Sequence, residues 1–274
     1  MTTCAITGSN GILGRRIKKF LPFKFYEFKN DITNYSAVKK WVEKRDFDIV
    51  IHLAAIVPTN KVEKNYIKAN NVNFLGTKNL VNAILNKKNK PKWFFFSSTS
   101  HVYKPTFKFK KIKENSKTFP YSRYGITKLN AEKYIKKKLK KQEVKFCIGR
   151  IFSFTDKFQK SSFVVPGIIK KINVANQNKI VLKNLNHYRD FLSTKDIVNA
   201  IFKLYRLRAS GIYNIGSGKE ICLKEIAKLL GAKYKKEIFF IDNKKPTFLI
   251  SNNKKLLKLK FKFRKYKKTL NYFY

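Results

Sequence analysis

The sequence predicts an α/β domain built around a doubly wound parallel sheet. Short apolar runs of strand type alternate with longer segments in which apolar residues recur at helical spacing, and the alternation continues to about residue 152. A glycine cluster, Gly8-Ser-Asn-Gly11-Ile-Leu-Gly14, directly follows the first apolar run. Parallel strands joined by helical crossovers account for both observations.

The first half of the chain supplies the elements of this sheet. Residues 47–53 and 93–96 are almost continuously apolar, which is typical of strands buried on both faces. Pro22 ends the first helical segment, because proline does not continue a helix. We predict strands over residues 4–7, 23–28, 47–53, 93–96 and 144–152, and helices over residues 12–20, 35–44, 62–85 and 122–139.

Beyond residue 152 the alternation loosens, and we predict a small C-terminal lobe. Helical patterns cover residues 163–172, 195–207 and 222–230, and strand patterns cover residues 180–182 and 211–215. We therefore assign residues 1–152 to the sheet domain and residues 153–274 mainly to the lobe, with some segments returning to the sheet domain. Lysine alternates with leucine and phenylalanine over residues 254–274, for which we predict a strand and a helix with solvated lysines.

Composition excludes several classes of protein. A hydrophobic content of 43% supplies a core, so the chain is not expected to be disordered. No apolar run approaches the roughly 20 residues that span a bilayer, and the N-terminus reads as a strand rather than a signal peptide. Cys4, Cys147 and Cys222 are widely spaced in apolar runs. We predict free buried thiols, no metal site and a cytoplasmic location.

The net charge of +46 is the most unusual bulk property. Only nine of the 62 basic residues are arginine, and the basic residues are spread along the whole chain. We interpret this charge as compositional bias with a solvated lysine surface, and predict no specific nucleic-acid partner. A functional alternative is a positive field that attracts anionic ligands, for which a dinucleotide and a sugar diphosphate both qualify.

The glycine cluster predicts a dinucleotide site of Rossmann type. Gly8, Gly11 and Gly14 stand between a predicted strand and a predicted helix, where glycine lets the backbone turn tightly and approach a diphosphate. The first amides of the following helix then point at the phosphates. The predicted contacts are Gly8, Asn10, Gly11, Ile12, Leu13 and Gly14.

The residues near the second predicted strand indicate whether the chain prefers NADP(H) or NAD(H). NAD-preferring sheets carry an acidic residue at the end of this strand, to hold the ribose 2′-hydroxyl. Glu27 lies in the body of the strand rather than at its tip, while Lys29 and Arg15 are placed to face a 2′-phosphate. We favour NADP(H), with NAD(H) as the alternative.

Tyr124 and Lys128 stand one helical turn apart and suit acid–base catalysis. A phenol with a pKa near 10 exchanges protons poorly at neutral pH unless a nearby ammonium stabilises its phenolate. Lys128 can supply that charge, and Thr99, at the end of a predicted strand, can hydrogen-bond the reacting oxygen. We predict Thr99, Tyr124 and Lys128 as catalytic residues.

With these motifs in place, nearly the whole chain resembles the extended short-chain dehydrogenase/reductases, the NAD-dependent epimerase/dehydratase family. The resemblance rests on the glycine cluster, on Asn73-Phe-Leu-Gly76-Thr77, on the segment ending in Thr99, and on Tyr124 with Lys128. It implies a nicotinamide cofactor and, for Tyr124 and Lys128, cofactor contact as well as catalysis. The further cofactor contacts that it implies are Asp31, Ile32, Leu53, Ala54, Ala55 and Asn73.

The same resemblance implies a nucleotide-diphosphate sugar as substrate. Arg150-Ile-Phe152-Ser153 is similar to a substrate-pocket element of the family, and Arg189-Asp-Phe is similar to the segment whose arginine contacts the diphosphate. Thr99, Ser153 and Arg189 are therefore the expected substrate contacts. Family members often form homodimers through the helices that hold Asn73 and Tyr124. The like charges of residues 133–141 oppose such a dimer, so the sequence does not decide between a monomer and a homodimer.

Three functions remain open from the sequence. Dehydratases of the family carry Asp-Glu directly after the catalytic threonine, where this chain has Ser100-His101, so we do not expect dehydration. The first expectation is reduction at C4 of a 6-deoxy-4-keto sugar nucleotide in cell-surface polysaccharide biosynthesis, as in 4-keto reductases similar to dTDP-4-dehydrorhamnose reductase. The alternatives are an NAD-dependent nucleotide-sugar 4-epimerase and a non-catalytic polyanion-binding protein on the same fold.

Overall fold

The computed structural model describes residues 1–57 and 59–264. It divides into two compact units. Unit 1 comprises Met1–Tyr103, Lys117–Ile151 and Ile197–Tyr213, and unit 2 comprises Lys104–Ser116, Phe152–Asp196 and the chain from Asn214 onward.

Strands and helices alternate along most of the described chain. The strands are β1 (Thr3–Thr7), β2 (Lys24–Phe28), β3 (Ile49–His52), β4 (Trp93–Thr99), β5 (Lys111–Ile112), β6 (Lys145–Ile151), β7 (Ser153–Thr155), β8 (Lys179–Lys183), β9 (Tyr188–Arg189), β10 (Phe191–Ser193), β11 (Gly211–Ile215), β12 (Ile221–Cys222), β13 (Glu237–Ile241) and β14 (Phe248–Ser251). The α-helices are α1 (Ile12–Phe20), α2 (Tyr35–Glu43), α3 (Thr59–Lys64), α4 (Tyr66–Asn70), α5 (Gly76–Leu85), α6 (Arg123–Leu139), α7 (Val164–Asn173), α8 (Thr194–Arg206), α9 (Leu223–Lys233) and α10 (Lys254–Leu257).

A six-stranded sheet in the order β11-β6-β4-β3-β1-β2 organises unit 1. The pairings β1–β2, β1–β3, β3–β4 and β4–β6 are parallel. All four residues of β3 are buried, as are Trp93 to Phe96 of β4, because helices cover both faces of a parallel sheet. The prediction of a doubly wound parallel sheet is confirmed.

The predicted helical stretch over residues 62–85 is confirmed, with an interruption at Asn65. The chain forms α3 and α4 there, then a π-helical turn at Asn71–Leu75, and finally α5. Asn65 interrupts the first helix, since its side chain accepts a hydrogen bond from Lys68 N at 2.9 Å and so starts α4. The apolar spacing does not show this break, because the break depends on a side-chain hydrogen bond.

Unit 2 contains three small sheets, with strand orders β12-β9-β14-β5, β10-β7 and β13-β8. Helices α7 and α9 pack with β8 in its apolar core. Several of its strands have only two or three residues, too few to show an alternating pattern, and the sequence did not predict them. Over residues 254–264 the structure contains α10 and no strand, so the predicted terminal strand is absent from this part. Residues 265–274 lie outside the described residues.

Neither a membrane-spanning helix nor a metal-binding cluster occurs in the described chain. None of its helices is both long and apolar enough to cross a bilayer. Residues 1–57 and 59–264 contain no group of three or more His, Cys, Asp or Glu side chains placed to hold a metal ion. Cys4, Cys147 and Cys222 are buried free thiols, as expected.

Candidate active site

The glycine loop packs tightly against the segment that follows β3. Gly8 has a φ of +69°, and a Cβ atom there would lie 2.7 Å from Ala54 N and 2.8 Å from the carbonyl carbon of Leu53. At Gly14 a Cβ atom would overlap the carbonyl oxygen of Gly8 and lie 2.6 Å from the Cα of Ser9. Only glycine lets the three backbone segments approach this closely.

The outer side of the loop is open and suits an anionic group. Gly11 is the N-cap of α1 and provides no side-chain cap for the first amides of the helix, and the first turn contains no acidic residue. Asn10 and Gly11 are exposed, while Ile12 and Leu13 are half-buried. Uncapped amides at the positive end of a helix dipole are the donor set that a diphosphate requires. The loop therefore fits the diphosphate of a dinucleotide.

A chain of buried hydrogen bonds starts at the end of β1. Thr7 Oγ1 lies 2.6 Å from His52 Nδ1, and His52 Nε2 lies 2.9 Å from Thr77 Oγ1, which donates to the Asn73 carbonyl at 2.7 Å. Because the Thr77 proton is used in that bond, Nε2 of His52 is the donor and Nδ1 accepts from Thr7. Burial lowers the pKa of His52 to about 3, so the imidazole is neutral. Ala54 N donates to Thr7 Oγ1 at 3.3 Å and joins the predicted segment 53–55 to the same chain.

Asn73, in the π-helical turn, connects this chain to α6. Its Oδ1 accepts from Ile56 N at 2.7 Å, and its Nδ2 donates to Ile56 O and to Thr127 Oγ1, both at 3.0 Å. Thr127 in turn donates to the carbonyl of Tyr124 at 2.8 Å. Asn73 thus holds the chain after β3 against the first turn of α6. Its predicted contact with the cofactor stays a prediction.

Asp31 and Ile32 follow the carboxyl end of β2. Asp31 is exposed, and its Oδ1 accepts from the amide and the hydroxyl of Thr33, both at 2.9 Å. Ile32 is buried against α5, where a Cβ atom added to Gly76 would lie 2.5 Å from its Cγ2. Their predicted adenine contact stays a prediction.

Thr99, Tyr124 and Lys128 converge within unit 1. Thr99 is the last residue of β4, while Tyr124 and Lys128 lie in the first turns of α6, which Ser122 caps by accepting from Gly125 N at 3.2 Å. The Thr99 and Tyr124 side chains are hydrogen-bonded to each other. The exposed fractions are 6% for Thr99, 7% for Tyr124 and 1% for Lys128. Thr99 and Tyr124 are therefore in contact, Lys128 lies one turn further along α6, and all three side chains are largely shielded from water.

Burial shifts the pKa values of the two titratable members in opposite senses. Burial raises the pKa of Tyr124 to about 12, although the hydrogen bond with Thr99 acts to lower this pKa. It lowers the pKa of Lys128 to about 7, against the Glu132 charge that raises it. The Lys128 ammonium lies 4.1 Å from the centre of the Phe96 ring. At neutral pH Tyr124 is therefore a protonated phenol that can donate, beside a lysine that is charged in part of the molecules.

Two of the three predicted substrate contacts, Ser153 and Arg189, belong to unit 2. Ser153 begins β7, and Arg189 ends β9; both are half-buried. Arg189 Nη1 donates to the carbonyls of Tyr188 at 2.7 Å and Thr247 at 2.9 Å, and Nη2 donates to Thr247 Oγ1 at 3.1 Å. These bonds fix the guanidinium beside β14. The contacts of Ser153 and Arg189 with a substrate stay predictions.

Asp190, next to Arg189, has a structural role that its place in the Arg189-Asp-Phe segment does not reveal. Its fully buried carboxylate accepts hydrogen bonds from the amide and hydroxyl of Ser217, the amide of Gly218, and the amide and hydroxyl of Ser251. Burial raises the pKa of the Asp190 carboxyl, although these hydrogen bonds act to lower it. Asp190 therefore joins β9, β14 and the turn after β11.

Comparison with known proteins decides the family. Residues 14–272 match the sequence model of the family described as GDP-mannose 4,6 dehydratase. The chain belongs to this family. The predicted membership of the NAD-dependent epimerase/dehydratase group is thereby confirmed, as is the prediction that the chain is an enzyme.

Relatives within the family differ in the reaction they catalyse. The chain is 28% identical to a putative UDP-glucose 4-epimerase of Methanocaldococcus jannaschii, over 74% of this chain and 67% of that protein. It is 26% identical to GDP-6-deoxy-D-mannose reductase of Pseudomonas aeruginosa, over 82% of this chain and 78% of that protein. The structure of RMD from Pseudomonas aeruginosa complexed with NADPH has the same fold, with a TM-score of 0.88, 20% identity, and coverage of 99% of this chain and 97% of that one.

Proposed function

We propose that the chain reduces the C4 keto group of a 6-deoxy-4-keto sugar nucleotide with NAD(P)H. The main support is the buried, protonated Tyr124 phenol, hydrogen-bonded to Thr99 and one turn from Lys128. Strands β1 and β4 run parallel, so the glycine loop and Thr99 lie at the same edge of the sheet. Acid–base groups and an anion-binding loop at one edge suit hydride transfer from a dinucleotide.

The cofactor would be held by the glycine loop, by the first amides of α1 and by the segment of Leu53, Ala54 and Ala55. A bound nicotinamide dinucleotide supplies the hydride. The Lys128 ammonium would also bind a ribose hydroxyl. All these groups belong to unit 1.

Tyr124 donates its proton to the oxygen that becomes negative at C4. Thr99 Oγ1 already accepts from His101 N at 3.2 Å, so its single proton is available to hydrogen-bond either that oxygen or the phenolate left on Tyr124. The Lys128 ammonium stabilises the phenolate, and the shielding of all three side chains from water strengthens these interactions. Arg189 would bind the diphosphate of the substrate. The homodimer and the cytoplasmic location stay predictions.

NADPH is expected to bind more tightly than NADH, by about tenfold or more, as one charge-assisted contact to the 2′-phosphate would give. Glu27 already has protein partners, since Lys18 Nζ lies 2.9 Å from its carboxylate and Ser9 hydrogen-bonds it. Lys18 also holds the pKa of Glu27 below its usual range. Calorimetry gives the dissociation constants of NADPH and of NADH, which test this prediction. We expect Lys29→Gln to reduce the ratio between these two constants. Tighter binding of NADH would contradict it.

The reaction is tested by supplying NADPH and a 6-deoxy-4-keto sugar nucleotide. We expect NADPH to be consumed in equal amount with the keto sugar, and NMR to show a new C4 hydroxyl. The likeness to a UDP-glucose 4-epimerase supports a second candidate, an NAD-dependent 4-epimerase. That enzyme would interconvert nucleotide hexoses with no added reductant. An epimer formed under those conditions, without consumption of NADPH by the keto sugar, would replace the first proposal by the second.

A further inference from the structure

A buried ion pair joins α6 to β6 beside Thr99, Tyr124 and Lys128. The Glu132 carboxylate accepts from Arg150 Nη2 at 2.6 Å and from Arg150 Nε at 3.0 and 3.2 Å. Glu132 is 0% exposed and Arg150 is 2% exposed. Arg150, which by resemblance belongs to a substrate-pocket element, is thus bound to Glu132 in the interior of unit 1.

Two hydroxyl groups complete this cluster and connect it to the catalytic trio. Ser98 Oγ donates to Glu132 Oε1 at 2.5 Å, and Arg150 Nη1 donates to the Tyr103 hydroxyl at 2.7 Å. Ser98 immediately precedes Thr99 and lies opposite Arg150 in the β4–β6 pairing. Glu132 follows Lys128 by one turn of α6. The cluster therefore touches the elements that carry all three trio residues.

Charged and titratable groups reach Lys128 from α6 and from the sheet. Tyr124 and Glu132 lie one turn before and one turn after it on α6. From β3, His52 is neutral, and its pKa is lowered by burial and further by the Lys128 charge. From β6, Arg150 is paired with Glu132. Burial lowers the pKa of Lys128, whereas Glu132 raises it.

We propose that the Glu132 carboxylate favours the charged form of the Lys128 side chain, one turn away on α6, and that Arg150 is a positioning residue that holds this carboxylate in place. Arg150 and Glu132 form a bidentate contact, which fixes the orientation of the buried carboxylate. Without the Glu132 charge, burial alone governs Lys128, which then loses its proton at a lower pH.

The meaning of this charge for catalysis rests on the proposed function, because the ammonium is needed to stabilise the Tyr124 phenolate. The charge itself can be measured without substrate or dinucleotide. Burial lowers the pKa of Lys128 to about 7 in the folded chain. An unfolded lysine titrates near a pKa of about 10.4, so the unfolded state binds more protons between these values. The Lys128 contribution to the free energy of unfolding therefore rises with pH above about 7.

The test measures the free energy of unfolding of the full chain by urea from about pH 5 to about pH 10. Two differences in the free energy of unfolding are compared. The first is that of the wild type minus that of K128M, and the second is that of E132Q/R150M minus that of E132Q/R150M/K128M. Each difference isolates the Lys128 contribution from the other titrating groups. We expect the rise to begin at a pH lower by about one unit or more in the second difference, because Glu132 is the removed charge that raises the Lys128 pKa.

Tyr103→Phe serves as the matched control, because it removes one hydrogen bond to Arg150 and leaves both charges in place. A purely structural cluster would lose stability in every variant without moving the pH at which the rise begins. If the Lys128 contribution to the free energy of unfolding begins to rise at the same pH in E132Q/R150M as in the wild type, the proposal is overturned.

If E132Q/R150M does not fold, Glu132→Gln alone tests the proposal. The ε-carbon of Lys128 is titrated by NMR with labelled lysine in the wild type and in Glu132→Gln, and K128M identifies its signal. A Lys128 pKa lower in Glu132→Gln than in the wild type supports the proposal, and an unchanged pKa overturns it. Neither measurement uses turnover, so failure here and failure of the proposed reduction are distinguishable.

Discussion

Tyr124→Phe is expected to lower turnover by about 10²–10⁴-fold, the usual contribution of a positioned general acid. Phenylalanine keeps the ring that packs in this buried site but has no proton to donate to the C4 oxygen. Thr99 and Lys128 remain, and they can orient and stabilise but do not replace the proton donor. Steady-state rates with NADPH and a 6-deoxy-4-keto sugar nucleotide measure the loss.

Tyr134→Phe is the matched control for this substitution. Tyr134 lies on the same helix, and its hydroxyl donates to Asn82 Oδ1 at 2.5 Å, so the control also removes one hydroxyl and one hydrogen bond. We expect its turnover to stay within a few-fold of the wild type, because Tyr134 lies nearly three turns of α6 away from Tyr124. Equal losses in the two variants, or an unchanged rate in Tyr124→Phe, would remove Tyr124 from the proposed mechanism.

Gly8→Ala is expected to destabilise the fold by about 3 kcal/mol and to weaken dinucleotide binding at least about tenfold. Alanine at a φ of +69° is strained, and its Cβ would lie 2.7 Å from Ala54 N. The clashing atoms are backbone atoms of the chain after β3, so the loop itself has to move away. Urea unfolding gives the stability, and calorimetry with NADPH gives the affinity.

Gly11→Ala provides the comparison within the same loop. Gly11 has a φ of −69°, and an added Cβ would meet only the Gly8 carbonyl oxygen, at 3.2 Å. We expect its free energy of unfolding to change by less than about 1 kcal/mol. If Gly8→Ala unfolds at the same urea concentration as Gly11→Ala, the close packing of the loop on Ala54 is not what requires glycine there.

The elements that the sequence predicted well are those with a strong local signal. The apolar runs of β3 and β4 are long enough to show burial on both faces, and the glycine cluster marks the turn from β1 into α1. The break at Asn65 and the π-helical turn depend on side-chain hydrogen bonds that leave the apolar spacing unchanged. Strands such as β9 and β12 have two residues each, so only their partners define them.

The candidate site shows the same limit. The spacing placed Tyr124 and Lys128 on one helix, and the apolar run before Thr99 placed that residue at the end of a strand, because these relations are short. The partners of buried polar groups are distant in the chain: Asp190 and Ser251 are 61 positions apart, and Arg150 and Glu132 are 18 apart. A sequence shows that such residues are polar, but only the fold shows which of them meet.

The hydrogen-bond chain from Thr7 through His52 and Thr77 to Asn73 runs in one direction, because each residue donates a proton to the next. This direction restricts how the domain can be recombined with those of relatives. A chimera that takes its first strand from another protein and its third from this one must bring compatible donors and acceptors to the junction. Otherwise it buries an unmatched polar group between the two strands, even when every residue of the glycine loop is retained.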